Sequence, residues 1–222
     1  MFSFLTTDFT KLVQEKNAEN SELKNSITTL SKKVVTLEER IEENDIYERR
    51  DTLVFSGSKL PVQNASENTS DIISNLVKTH LNFHEFSPSE ISVSHRLTEK
   101  DSRINNGRSP IIVKLCRRNT KVDILNCARK KKPENFFVNE HLTPMQATIS
   151  FVLRKAKRDF PDLVSGSTTF EGKNFVWIKA PNPAARGAHD TRLKVSNHRH
   201  LNEFCAKTLM KPLSDYVPEW KH

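Results

Sequence analysis

The chain has neither glycine nor proline before Gly57, so nothing in its opening stretch breaks a helix. The apolar residues there say what kind of helix it is. They fall at Leu23, Ile27, Leu30, Val34, Leu37 and Ile41, in alternating steps of four and three. This is the seam of a heptad, with Ile27, Val34 and Ile41 at a and Leu23, Leu30 and Leu37 at d. Phe2, Phe9 and Val13 keep the frame upstream, though Lys16 and Asn20 interrupt it; downstream it fades at Asn44 and Glu48. Lys33 and Arg40 take g, while Glu38 and Asp45 take e. In a parallel coil, g meets e of the next heptad on the partner, so Lys33–Glu38 and Arg40–Asp45 both attract. Each exposed pair is worth about 0.5 kcal/mol. Together they favour a parallel homo-oligomer over an antiparallel one. β-branched residues at a with leucine at d lean toward a dimer.

After Arg49-Arg50 the period changes from helical to alternating. Asp51–Ser58 reads as a strand closed by Gly57. Ile72, Ile73, Leu76, Val77, His80 and Leu81 return to helical spacing. Ser87-Pro88-Ser89-Glu90 is a capping box with proline at the first helical position. Ile91–Leu97 alternates at period two, and Pro110–Cys116 is strongly β-prone, with a polar loop from Thr98 to Ser109 holding Asn106-Gly107. Residues 119–131 form a helix packed through Val122, Leu125 and Ala128, and Phe136-Phe137-Val138 a short strand. Strand, helix, strand, strand, helix, strand is the ferredoxin-like order used by the RNA recognition motif (RRM). That motif stacks bases on aromatics of its central strands, but here the third strand has none and the first offers only Phe55. Nucleic-acid binding by this region then falls to basic groups and backbone.

Thr143-Pro144-Met145-Gln146 repeats the capping signal, starting a helix that packs through Met145, Ile149, Val152, Leu153, Ala156 and Phe160 and ends at Pro161. Strands are expected around Ser167–Phe170 and Asn174–Lys179, joined by a turn at Gly172, with a third at Arg192–Ser196 and a last helix at Leu201–Met210. Trp177, between Phe175, Val176 and Ile178, is read as core rather than as a base-stacking platform. The tail after Pro212 reads as irregular. The expected class is α+β: a coiled-coil helix at 1–50, an RRM-like βαββαβ domain at 51–141, a small basic α+β domain at 142–210 and a tail at 211–222.

Charge separates the halves. Of 35 Lys+Arg and 27 Asp+Glu, residues 1–100 hold 12 basic and 16 acidic side chains, and residues 101–222 hold 23 and 11. The whole positive excess lies in the C-terminal half, as for a polyanion-binding region. The candidate phosphate contacts are Arg49 and Arg50 at the joint, Arg96 and Lys114 on strands, and Arg117, Arg118 and Lys121 around a helix start. Arg129, Lys130, Lys131 and Lys132 close that helix, and Arg154, Lys155, Lys157 and Arg158 lie on the next one. Four cations in a row exceed what dipole compensation at a helix end requires.

The ordered set of Arg-Arg, "DTLVFSG", "SVSHRL", "SPIIVKL", "CARKKK", "FFVNEHLTPMQ" and "NFVWI" behind a coiled coil resembles one family over about residues 20–210. These are the RNA-binding first-frame proteins of non-LTR (LINE-type) retrotransposons; baculovirus few-polyhedra proteins share the later segments. The resemblance implies a homotrimer, an RRM-like domain and a basic C-terminal domain. It further implies cooperative binding of single-stranded RNA, nucleic-acid chaperone activity and packaging of element RNA into a ribonucleoprotein, cytoplasmic with the nucleus as second location. Arg40-Ile41-Glu42-Glu43-Asn44-Asp45 is similar to the family's trimer motif, with Arg40 and Ile41 matching and two departures: Asn44 stands for an apolar residue and Asp45 for a glutamate. Dimer and trimer both stay open, as do RNA and DNA. The alternative is a few-polyhedra-like scaffold whose basic face binds acidic proteins.

No catalytic set stands out, and neither an enzyme nor a cofactor is expected. His80 and His84 are one helical turn apart but lack a third ligand or an intervening glutamate. Ser165-Gly166-Ser167 lacks the frame of a nucleophile elbow. His198-Arg199-His200 reads as polar surface. Cys116, Cys127 and Cys205 are too few and too dispersed for a disulfide framework or paired-cysteine zinc site, which suggests reduced thiols inside a cell. No apolar run approaches the ~20 residues of a membrane span, and the start, MFSFLTTDFTKLVQEK, lacks the basic end and apolar core of a signal peptide.

Overall fold

The computed structural model describes residues 2–97, 108–180 and 189–216, with side chains from residue 10 onward. The expected loop at Thr98–Ser109, with its Asn106-Gly107 turn, lies mostly outside the described residues. The protein is mixed α+β, with a long N-terminal helix, two antiparallel sheets and several shorter helices. It divides into two compact units, Met1–Asp45 and Ile46–His222.

The first unit is the greater part of one helix, α1 (Phe2–Arg49). At 1.5 Å rise per residue it is about 72 Å long. Its heptad positions Leu23, Ile27, Leu30, Val34, Leu37 and Ile41 are between 51% and 62% exposed. A lone helix of this polarity has no tertiary packing to hold it, and most helical stability in water comes from packing an apolar face.

In the second unit, β1 (Thr52–Ser56), β2 (Ile91–Arg96), β3 (Ile111–Leu115) and β4 (Phe137–Glu140) form one sheet in the order β2-β3-β1-β4, every pair antiparallel. The helices α2 (Thr69–Leu81) and α3 (Arg118–Lys131) cover one face. Alternation decides that face: Leu53 and Phe55 of β1 and Ile111, Val113 and Leu115 of β3 point inward onto Ile73, Val77 and Ile124. Each such side chain gains about 1.5–3 kcal/mol by leaving water. Phe55 is therefore core, stacked on Phe136 at 5.9 Å, and offers no base platform. The open face carries Val54, Ile112, Val93, His95 and Lys114, without an aromatic on either central strand.

Local signals place the ends of these elements. Asn68 caps α2 by accepting from the Ser70 and Asp71 amides. Ser87 caps a short 3-10 turn, Pro88–Glu90, but the Glu90 carboxylate accepts from the Thr120 hydroxyl at 2.8 Å. Gly57 is required where it stands. Its φ is +120°, and a Cβ there would lie 2.2 Å from the Asn135 carbonyl oxygen.

The second core lies beneath α4 (Pro144–Asp159) and the sheet β5 (Val164–Phe170), β6 (Lys173–Ile178) and β7 (Thr191–Val195), with α5 (His198–Phe204) running into a π-helical turn at Cys205–Leu209. Thr143 caps α4 by accepting from the Gln146 amide at 3.1 Å. Residues 213–216, expected to be irregular with the rest of the tail after Pro212, are regular; the remainder of that tail lies outside the described residues. Leu213–Asp215 is a 3-10 turn, and Leu213 and Tyr216 are buried in this core. The cysteines are free thiols. Burial pushes the Cys205 thiol up to about 11, away from reactivity.

Candidate nucleic-acid interface

Several predicted phosphate contacts are spent inside the fold. The Arg96 side chain is 5% exposed, and its Nε and Nη2 donate to the two Glu67 carboxylate oxygens at 2.7 and 2.8 Å. Nη1 donates to the Ser109 carbonyl at 2.8 Å, and Nη2 also to the Pro61 carbonyl at 3.0 Å. The guanidinium thus pins the loop after β1 to the end of β2, and it holds the Glu67 carboxyl below its usual range. Lys121 is also buried. Its Nζ donates to the Arg50 carbonyl at 2.6 Å and lies 3.7 Å from Glu140. Burial pulls its pKa down, while the Glu140 charge opposes that.

The arginine pair at the joint is divided. Arg49 Nη1 lies 2.9 Å from His141 Nε2 and 3.4 Å from the Leu142 carbonyl. Arginine can only donate, so His141 Nε2 accepts and the ring is neutral with its proton on Nδ1. Desolvation, and then the Arg49 charge, lower the His141 pKa in agreement. Arg50 stacks on Tyr47 at 3.8 Å and donates to Asp51 at 3.2 Å. Arg49 is thus part of the joint itself, correcting the expectation that both arginines await RNA.

The remaining cations are more available. Arg118 pairs with Glu171 at 2.5 Å, and half-buried Lys155 lies over the Tyr216 ring at 5.2 Å. Lys114, Arg117, Arg129, Lys130, Lys131, Lys132, Arg154, Lys157 and Arg158 are exposed, with no carboxylate at ion-pair distance among the described residues.

Three of them meet at a cleft of about 690 Å³. The C-terminal end of α3 contributes Arg129 and Lys132, β4 contributes Phe137 and Asn139, α4 contributes Ser150 and Arg154, and β5 contributes Thr168 and Thr169. Phe137 is 55% exposed: strand alternation turns Phe136 into the core and Phe137 outward. Lys132 ends α3 in the left-handed conformation, at φ 46°. Glycine or asparagine normally takes that place, so the long cation sits there at a cost in backbone energy.

Two polar devices fix the walls. Glu140, at the end of β4, accepts from the backbone amides of Glu171 and Gly172 at 3.1 and 2.8 Å, binding the first sheet to the β5–β6 turn. A larger residue at Gly172, whose φ is +70°, would drive its Cβ to 2.9 Å from Ile46. Buried Asn174 donates to the Gln146 carbonyl at 3.0 Å and side-chain oxygen at 2.8 Å, and accepts from the Thr169 hydroxyl at 2.7 Å. Gln146 in turn donates to the Ser196 carbonyl at 2.9 Å. This network locks α4, and with it Ser150 and Arg154, onto the second sheet.

Phe137, Asn139, Glu140 and the Gln146–Asn174 pair were missed by reasoning from charge. Only the in–out alternation of Phe136-Phe137 carried a local signal. Trp177 also departs from its expected place. Phe175 and Trp177 are half-buried on the face of the second sheet opposite the one that Val176 sends into the core.

Chemically, the cleft offers uncompensated cations, hydroxyl and amide groups and one exposed ring, which suits a flexible phosphodiester. Among the described residues no three His, Cys, Asp or Glu side chains could together hold a metal ion, and no helix is long and apolar enough to cross a membrane. No family model matches the chain, and no curated protein sequence matches it.

Proposed function

We propose that this chain is a non-enzymatic, single-stranded nucleic-acid-binding protein and chaperone that acts as a parallel coiled-coil homo-oligomer, packaging retroelement RNA. The observation that carries the reading is the convergence of Arg129, Lys132 and Arg154, with exposed Phe137, on one cleft. Phosphates supply most of the affinity of such complexes, and a ring beside the cations tolerates any base. The strand order β2-β3-β1-β4 supports an RRM-like domain over 51–141, here without its aromatic platform. The unit's second core supports a basic α+β domain over 142–210.

The exposed heptad seam supports self-association, with copies of the chain as its occupant because Lys33–Glu38 and Arg40–Asp45 complement each other across parallel strands. A trimer follows the family resemblance and a dimer follows the a/d composition. Gathering several basic heads raises the effective charge seen by one strand. Sedimentation equilibrium tests assembly: a concentration-independent monomer overturns it. A salt titration with a uridylate oligonucleotide, wild type against Arg129→Ala/Lys132→Ala/Arg154→Ala, tests the site. Binding to acidic polypeptides but not to the oligonucleotide would favour the scaffold alternative.

A further inference from the structure

The register of the second sheet puts Phe175 and Trp177 of β6 on one outward face, beside Arg192 and Lys194 of β7. The Arg192 guanidinium lies 3.8 Å over the Phe175 ring and 5.7 Å from the Trp177 ring. Across from Trp177 stands Gly166. A Cβ there would meet the indole only at 3.6 Å, an ordinary contact, so space does not demand glycine; its effect is to leave that flank of the indole uncovered. The core has no need of these rings, since it is filled from the opposite face by Val176 and Val195. The outward strand positions carry no carboxylate. The acids nearest in sequence are engaged elsewhere: Glu171 pairs with Arg118, and Asp190 accepts from the Ser165 hydroxyl and the Ala180 amide.

We infer that this face is a base-stacking surface for unpaired nucleotides, with the Trp177 ring and the Arg192 guanidinium, itself stacked on Phe175, under the bases and Lys194 on the phosphates. The inference rests on the single-strand reading above and adds to the cleft a second station with a different chemistry. Charge complementarity names the occupant, and continuity supports it. Thr168 lines the cleft and is also the cross-strand partner of Phe175, so a strand leaving the cleft over β5 arrives at the rings. Aromatic rings among cations suit single strands because every base has a π-face.

The test uses the full chain with Trp220→Phe, which leaves Trp177 as the lone tryptophan. A uridylate oligonucleotide should quench Trp177 fluorescence saturably, in step with fluorescence anisotropy. An abasic phosphodiester of equal length should bind without quenching. Phe175→Ser/Trp177→Ser should weaken uridylate binding about tenfold or more while leaving the abasic chain unaffected. If that variant loses its cooperative melt, the quenching result decides. Binding without quenching, or equal quenching by the abasic chain, overturns the stacking surface and leaves the cleft standing. Concentration-dependent quenching with no oligonucleotide present assigns the face to a second copy of this chain and overturns it too. Absence of any binding overturns both this inference and the reading beneath it.

Discussion

The two sheets of the second unit use the same device, one face covered by helices and one left open, and employ the open face differently. On the first sheet it carries Val54, Ile112, Val93, His95 and Lys114. On the second it carries Phe175, Trp177, Arg192 and Lys194. The sheet whose topology suggests a base platform lacks rings on its central strands and has only Phe137, on the edge strand β4, whereas the sheet with no such association has two side by side on its central strand. The same split runs through the cations: Arg96 and Lys121, beside the first sheet, are buried in bonds to Glu67, Glu140 and carbonyls, whereas Arg129, Lys132 and Arg154 are exposed at the cleft with no carboxylate at ion-pair distance among the described residues. Strand topology and basic composition thus locate a candidate region, but only long-range pairing says which groups a ligand can reach.

The sharpest way to break this contrast is Arg96→Ala. It strands the Glu67 carboxylate, whose side chain is 12% exposed, and orphans two carbonyls. A loss of about 3–5 kcal/mol in urea unfolding is expected. In whatever fraction remains folded at low temperature, affinity for single strands should be unchanged. If affinity falls while stability holds, Arg96 belongs to the interface.

The cleft variant Arg129→Ala/Lys132→Ala/Arg154→Ala should do the reverse. Exposed side chains removed far from the core cost within about 0.5 kcal/mol, while affinity should drop about ten- to a hundredfold at low salt. Lys132→Gly separates the two effects within one residue. Relief of the left-handed strain should raise stability by about 0.5–1 kcal/mol, while the lost cation weakens binding. A variant that is more stable and binds as well would remove Lys132 from the site.

A smaller effect should appear with pH. The His141 pKa is lowered from its ordinary 6.5. The unfolded chain therefore takes up a proton at that site before the folded one does. Its contribution is complete above about pH 6.5 and is lost as pH falls through the folded value. Glu67, also lowered, acts in the same direction further down, from its ordinary 4.5 toward its folded value. Melts should therefore show stability declining as pH falls below about 6.5 and again below 4.5, and His141→Gln should flatten the first decline.

How much of this was legible in the sequence follows from the range of each interaction. Alternation and β-prone runs located β1, β2 and β3 to within two residues, and the Ser/Thr-Pro signals at Ser87 and Thr143 located two helix starts, because those depend on neighbours in the chain. The fate of Arg96 depends on Glu67, 29 residues away, and that of Lys121 on the Arg50 carbonyl, 71 away. A lysine locked in the joint and a lysine free at a cleft look alike in composition. Trp177 was misplaced because a run of four apolar residues does not say that a sheet has one covered face and one open. Leu213 and Tyr216 were missed because two separated side chains closing a core leave no period to read.

The central claim is that the free cations of the cleft, rather than the basic residues at large, hold a single strand. It is tested most directly by the salt dependence of uridylate binding in wild type and in the triple variant Arg129→Ala/Lys132→Ala/Arg154→Ala. Each phosphate contact contributes about −0.7 to the slope of log affinity against log salt. The account predicts measurable binding near physiological salt and a slope shallower by about 2 in the variant. No measurable affinity of the wild type, or a slope that the three substitutions leave unchanged, would contradict it.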